Sequence, residues 1–166
     1  MPRLFLAVPA VLDAYGAVRE RFTPLAEGRW IPSGQLHLTL LFLGDRFEAD
    51  DVIARVDAVT PSFTPSALQG LGYFKRNGIL FARSVNPSLA ELHRRLSAAF
   101  ELPWRPLEPH VTLQRVKRLQ RSREFAAALH EFDETPLGVL EPVLRLYDST
   151  LHPEGARYRV VKEWRP

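Results

Sequence analysis

The sequence predicts an α+β fold of two similar lobes that face each other across a groove. Three observations lead there. Strand-like and helix-like patterns alternate along the chain, with no Gly-rich phosphate loop, low-complexity run or linker between them. Their order is strand, helix, strand, helix, hairpin, helix, strand, helix, hairpin, which is weakly symmetric about residue 80. The same polar pair, His-x-Thr, also interrupts one apolar strand in each half, as His37-Leu38-Thr39 and His110-Val111-Thr112. With 166 residues, 46% of them hydrophobic, the chain is long enough for one compact domain over 1–166 and too short for two ordinary independent ones.

Taken in order, Arg3 to Val8 reads as a first strand. From Pro9 to Glu20, apolar Val11, Leu12, Tyr15 and Val18 fall near the 3.6-residue spacing and predict a helix. Thr23 to Gly34, punctuated by Pro24, Gly28, Pro32 and Gly34, reads as a loop delivering the chain into the first motif strand, Leu36 to Gly44. Glu48 to Val59 starts with acids and carries Val52, Ile53, Val56 and Val59 on one side, as a helix does. After Pro61 and Pro65, Ser66 to Lys75 and Gly78 to Ser84 form a hairpin around Arg76-Asn77-Gly78. Pro87 to Phe100 is a second long helix with Leu89, Leu92, Leu96 and Phe100 on one face and His93 at its boundary. Pro103, Pro106 and Pro109 then force an extended approach to the second motif strand. Gln120 to Phe132 is a shorter helix, and Leu137 to Tyr147 and Ser149 to Glu163 close the domain as strands around a turn at Pro153-Glu154-Gly155.

Composition removes several chemistries. Without cysteine there is no disulfide, thiolate nucleophile or thiolate metal site. The apolar run near the N-terminus is too short for a secretory core or a membrane span, so a cytoplasmic protein without a membrane partner is expected, and separately a monomer. The net charge is only +3, but 19 of the 22 cations are Arg, the better residue for bidentate phosphate contacts and base stacking. GC-rich coding bias produces the same excess, so by itself it neither supports nor excludes a phosphate ligand.

The paired motif carries more weight. On a strand, His37 and Thr39 share one face while Leu36, Leu38 and Leu40 take the other, and His110 pairs with Thr112 in the same way. Five His and seven Thr would give about 0.2 such pairs by chance, so two copies point to a shared site. Two imidazoles titrating near neutrality can act together as base and acid, and threonine hydroxyls can donate to nonbridging phosphate oxygens. That combination suits in-line cleavage of a phosphodiester with no cofactor. A metal site built on His37, His110 and Glu108 is the competing reading, but the chain has no further ligand spacing to complete it. A serine hydrolase would want a Gly-x-Ser-x-Gly elbow, which is missing.

The two motifs in this order, the opening Arg3-Leu4-Phe5-Leu6-Ala7-Val8, Arg115 after the second motif, and a Leu151 to Trp164 segment with Gly155 and Tyr158 resemble the two-histidine phosphoesterases. Within them the chain is most similar to the LigT-like RNA 2′,3′-cyclic phosphodiesterases, also called 2′-5′ RNA ligases. The resemblance implies a bilobal fold of antiparallel sheets with outer helices around a central groove. It implies hydrolysis of a terminal 2′,3′-cyclic phosphate on RNA ends or small cyclic nucleotides to a 2′-phosphate. His37 would be the proton donor to the leaving O3′ and His110 the proton acceptor for water, with Thr39, Thr112 and Arg115 on the phosphate. Simple alternation puts Arg115 on the face away from His110, so either a bulge redirects it or its role is structural. Where the family often carries an aromatic residue shortly before the second histidine, this chain has Leu107; Phe42, Phe74 and Tyr147 are then the candidates for stacking on a base. Ligation forming a 2′-5′ bond, the reverse direction, and a non-catalytic nucleotide or RNA binding module are the alternatives.

Overall fold

A computed structural model of the chain describes residues 3–166. Along them run β1 (Arg3–Val11), α1 (Tyr15–Phe22), β2 (Ala26–Trp30), a single 3-10 turn (Ser33–Gln35), β3 (His37–Gly44), α2 (Ala49–Val59), β4 (Ala67–Phe74) and β5 (Ile79–Ser84). There follow α3 (Pro87–Ala99), β6 (His110–Leu119), α4 (Ser122–Glu131), β7 (Pro136–Leu140), β8 (Leu144–His152) and β9 (Gly155–Trp164).

The strands make one nine-stranded antiparallel sheet, so the α+β class holds. Two runs of four, β9-β8-β1-β3 and β2-β6-β5-β4, are joined twice. Strand β7 pairs with both β1 and β4, and a single bridge, Leu38 to Val111, ties β3 to β6. The halves expected as two lobes therefore belong to one hydrogen-bonded sheet. Strand β1 is buried from Leu4 to Ala10, as an apolar run covered on both faces must be. Helices α2 and α3 pack on each other with α3 against β3, while α1 and α4 pair with α4 against β4. Asn86 caps α3 by accepting from the Leu89 N–H at 3.2 Å, and Pro87 occupies the first turn. One cluster of buried side chains runs through both halves. Leu38 and Val111 are fully inside it, and each such burial contributes about 1.5–3 kcal/mol, which anchors the bridge beneath the motifs.

Three segments differ from expectation. The helix expected from Pro9 begins only at Tyr15, because β1 continues to Val11: the Ala10 N–H donates to the Leu36 carbonyl and the Pro9 carbonyl accepts from the Glu141 N–H, both at 2.9 Å. Residues Ala26–Trp30, expected as loop, pair with β6 as an edge strand whose mostly exposed side chains hide the period of two. The strand expected over Leu137–Tyr147 is broken at Glu141-Pro142-Val143. Strands β7 and β8 lie end to end along β1, and Ser149–His152 belong to β8 and not to the last strand.

Candidate active site

The bridge between β3 and β6 builds the site. Leu38 and Val111 point into the core, so their neighbours, His37 and Thr39 on one strand and His110 and Thr112 on the other, project from the opposite face. Extending the antiparallel register by one residue each way sets His37 across from Thr112 and Thr39 across from His110. Opposed side chains lie about 4.5–5.5 Å apart at Cβ and diagonal ones about 7–8 Å, so the imidazoles are diagonal partners with hydroxyls between them. All four line one pocket of about 370 Å³ together with Arg115.

Both histidines are held in the same way. Nδ1 of His37 lies 2.7 Å from the Gln35 carbonyl, and Nδ1 of His110 lies 2.7 Å from the Glu108 carbonyl. A carbonyl only accepts, so Nδ1 carries the proton in each ring, and Nε2 is left to give or take one in the pocket. Burial pushes the His37 imidazole below the ordinary histidine value; the Gln35 carbonyl pulls back, while Arg115 and His110 add to the lowering. Rings flank each imidazole. Phe5 and Tyr158 lie 5.3 and 5.2 Å from His37, and Phe74 and Phe81 lie 5.2 and 5.6 Å from His110.

Each motif strand also carries a bulge at the same offset from its histidine. On β3, Leu41 pairs with Leu6 and Thr39 with Ala7, leaving Leu40 as an extra residue; on β6, Gln114 pairs with Leu80 and Thr112 with Phe81, leaving Leu113. Two successive buried residues follow, Leu40-Leu41 and Leu113-Gln114, after which the alternation is reversed. Phe42 and Arg115 consequently line the pocket, though simple alternation aims both away from it. Tyr15 of α1 fastens the second bulge, its hydroxyl lying 2.6 Å from the Ile31 carbonyl and 3.0 Å from that of Leu113. Burial pushes the Tyr15 pKa up to about 12, so the phenol stays a proton donor.

The three candidate stacking rings fare differently. Phe42 is 55% exposed at the pocket rim and stacks on Phe5 at 5.8 Å. Phe74 stands edge-on to His110 and stacks on Phe81 at 4.2 Å, outside the pocket lining. Tyr147 is buried behind Phe5, 5.1 Å from it, and its hydroxyl accepts from Arg145. A ring so packed is a support for Phe5 and not a platform for a base. Glu108 turns its carboxylate toward Arg76, 4.0 Å away, and among the described residues no group of three acids or histidines is arranged to hold a metal ion. Among them, too, no helix is long and apolar enough to cross a membrane.

Residues 10–141 match the family model described as the 2′-5′ RNA ligase superfamily. The chain belongs to this superfamily. A relative from Thermus thermophilus, named RNA 2′,3′-cyclic phosphodiesterase, is 31% identical over 98% of this chain and 89% of its own. Another of that name from Methanocaldococcus jannaschii is 26% identical over 98% and 99%. A solved Thermus thermophilus structure superposes with a TM-score of 0.74 at 28% identity, covering 98% of this chain and 96% of that one.

In this member of the superfamily the pocket is completed by side chains to which the sequence reading gave no place in the site. Arg3, Ser149 and Tyr158 form one row across β1, β8 and β9, since Arg3 pairs with Ser149 and Ser149 with Tyr158. Leu151 and Ala156 extend that wall from the β8–β9 hairpin, and Ile31 closes it beside β2. The available signal was the period of two: Ala156 and Tyr158 share a face of β9, and Ser149 and Leu151 share one of β8.

Proposed function

We propose that this chain hydrolyses the terminal 2′,3′-cyclic phosphate of RNA to a 2′-phosphate by paired histidine catalysis. The observation that carries the reading is the pair of pinned imidazoles, each with Nδ1 on a backbone carbonyl and Nε2 free, in one pocket with two threonines and Arg115. The names of the relatives point to the same substrate. His110 Nε2 accepts a proton from water as its oxygen attacks phosphorus in line with the P–O3′ bond. That bond breaks, and His37 Nε2–H supplies the proton that O3′ needs, leaving a 3′-hydroxyl and a 2′-phosphate. Thr39 and Thr112 donate to the nonbridging oxygens, Arg115 balances their charge, and Phe42 offers a base its exposed ring. With a 5′-hydroxyl in place of water the same base and acid serve ligation, the 5′-oxygen attacking phosphorus while O3′ leaves.

One observation favours a second reading with the two roles exchanged. Burial, with Arg115 and His110 close by, favours the neutral form of His37, which is the protonation state of a base. A bound phosphodiester anion acts against this by drawing the proton back, and on that ground His37 is kept as the donor. The test uses adenosine 2′,3′-cyclic phosphate with EDTA present. His37→Ala and His110→Ala should each lower kcat by about 10²–10⁴-fold. Substituting sulfur for O3′, a leaving group that needs little protonation, should restore most of the rate to the variant lacking the acid and none to the one lacking the base. Full activity in both alanine variants would end the proposal.

A further inference from the structure

Beside the pocket that holds the histidines lies a second one, lined by Glu27, Gly28, Arg29, Arg115 and Lys117. Arg115 borders both. On the β2–β6 ladder Arg29 stands directly across from Arg115, and like charges so opposed destabilise a sheet. Among the described residues no carboxylate lies within 4.0 Å of Arg29, Arg115 or Lys117, and the acid at hand, Glu27, is taken up by Arg118 at 2.8 Å. Lys117 is exposed and is the extra residue of another bulge, because Glu27 pairs with Arg118 and Gly28 with Val116. Gly155, at φ +121°, lets the β8–β9 turn pass close to the Arg29 guanidinium, where a Cβ would lie 2.8 Å from Nη1.

We propose that Arg29 and Lys117, with Arg115 shared, form an anion site for the phosphodiester one nucleotide upstream of the cyclic end, so that the preferred substrate is an RNA strand and not a mononucleotide. This site presupposes the cyclic-phosphate reading of the first pocket. An internucleotide phosphate carries one negative charge across the whole neutral pH range. Placed over Arg29 and Arg115 it offsets their mutual repulsion, and the two cations displace counterions from the RNA. Apart from Glu27, which Arg118 engages, the lining presents cations and backbone and no amide side chain aimed at base edges, so the site reads the backbone without sequence preference.

The experiment compares kcat/KM for adenosine 2′,3′-cyclic phosphate, for the ApA dinucleotide with the same cyclic end, and for that dinucleotide with an uncharged methylphosphonate linkage. The charged dinucleotide should lead by about tenfold, the worth of one charge-assisted phosphate contact, and the methylphosphonate should lose that lead. Arg29→Ala and Lys117→Ala should each shrink the lead and leave the mononucleotide rate unchanged. In parallel, binding of a labelled single-stranded RNA tetramer ending in a 2′-phosphate is followed against salt. Each variant should reduce the slope of log K on log salt by about one. Equal rates on mono- and dinucleotide, with the slope unchanged in Lys117→Ala, would overturn the site. If neither substrate is turned over but the slope still falls, the cyclic-phosphate chemistry is wrong and the anion site stands.

Discussion

Gly28→Ala should loosen the join between β2 and β6 and disturb Arg115 with it. The backbone at Gly28 lies outside the left-handed region, so the effect is one of space alone. A methyl there would meet Val116 Cα at 2.8 Å and the Arg115 carbonyl carbon at 3.0 Å, with the carbonyl oxygen nearer still, where ordinary contact begins at 3.4 Å. All three atoms are backbone of β6, so no side chain can swing aside and the two strands must part. Overpacking of this kind costs about 1–3 kcal/mol. The smaller entropy of an unfolded alanine chain returns about 0.4–1 kcal/mol, so the net loss centres on about 1.3 kcal/mol and reaches at most about 2.6 kcal/mol. For a domain of this size that lowers Tm by roughly 2–8 °C. Gly16 in α1 has nothing within 4 Å of the same added atom, and Gly16→Ala should raise stability by about 0.5–1 kcal/mol. Thermal unfolding of the two variants, with kcat/KM on a cyclic phosphate, checks both halves. If Gly28→Ala melts at or above the parent temperature with full activity, the close approach of β2 to β6 does not position Arg115, and the reasoning fails.

Acid should destabilise the fold through two histidines. Burial holds His37 and His93 below the ordinary value of about 6.5. The unfolded chain therefore binds protons that the folded one refuses, so stability is full above that pH and is lost as pH falls through it toward the lowered values. Urea midpoints between pH 5 and 8 should follow this curve, and His93→Gln should flatten it; an unaltered curve would place the titrating group elsewhere. Phe42→Ala removes a ring that is 55% exposed, so the urea midpoint should hardly move, while KM for a cyclic nucleotide rises by about five- to a hundredfold, the range for one base–aromatic stack. A change in stability without a change in KM would make Phe42 a packing residue only.

Much of the architecture is local enough to be written in the chain. The helices α2 and α3 announce themselves by apolar residues at the helical period, and the β4–β5 hairpin by Asn77-Gly78. The edge strand β2 does not, because its mostly exposed side chains leave no pattern to read. The break at Glu141-Pro142-Val143 is marked by Pro142, which cannot donate to a ladder, but nothing local says that the residues on both sides of it pair along the same strand, β1.

At the site the division is sharper. Alternation along a strand puts His37 with Thr39 and His110 with Thr112 whatever surrounds them, so the sequence alone determined which groups share a face. Tertiary pairing decided that these strands touch at Leu38 and Val111. It decided that Leu40 and Leu113 are each left out of a ladder, turning Phe42 and Arg115 into the pocket, and that Arg3 and Tyr158 complete its wall. The physical reason is that the direction of a side chain on a strand is fixed by its own backbone, whereas a bulge exists only relative to the partner strand that the extra residue fails to meet.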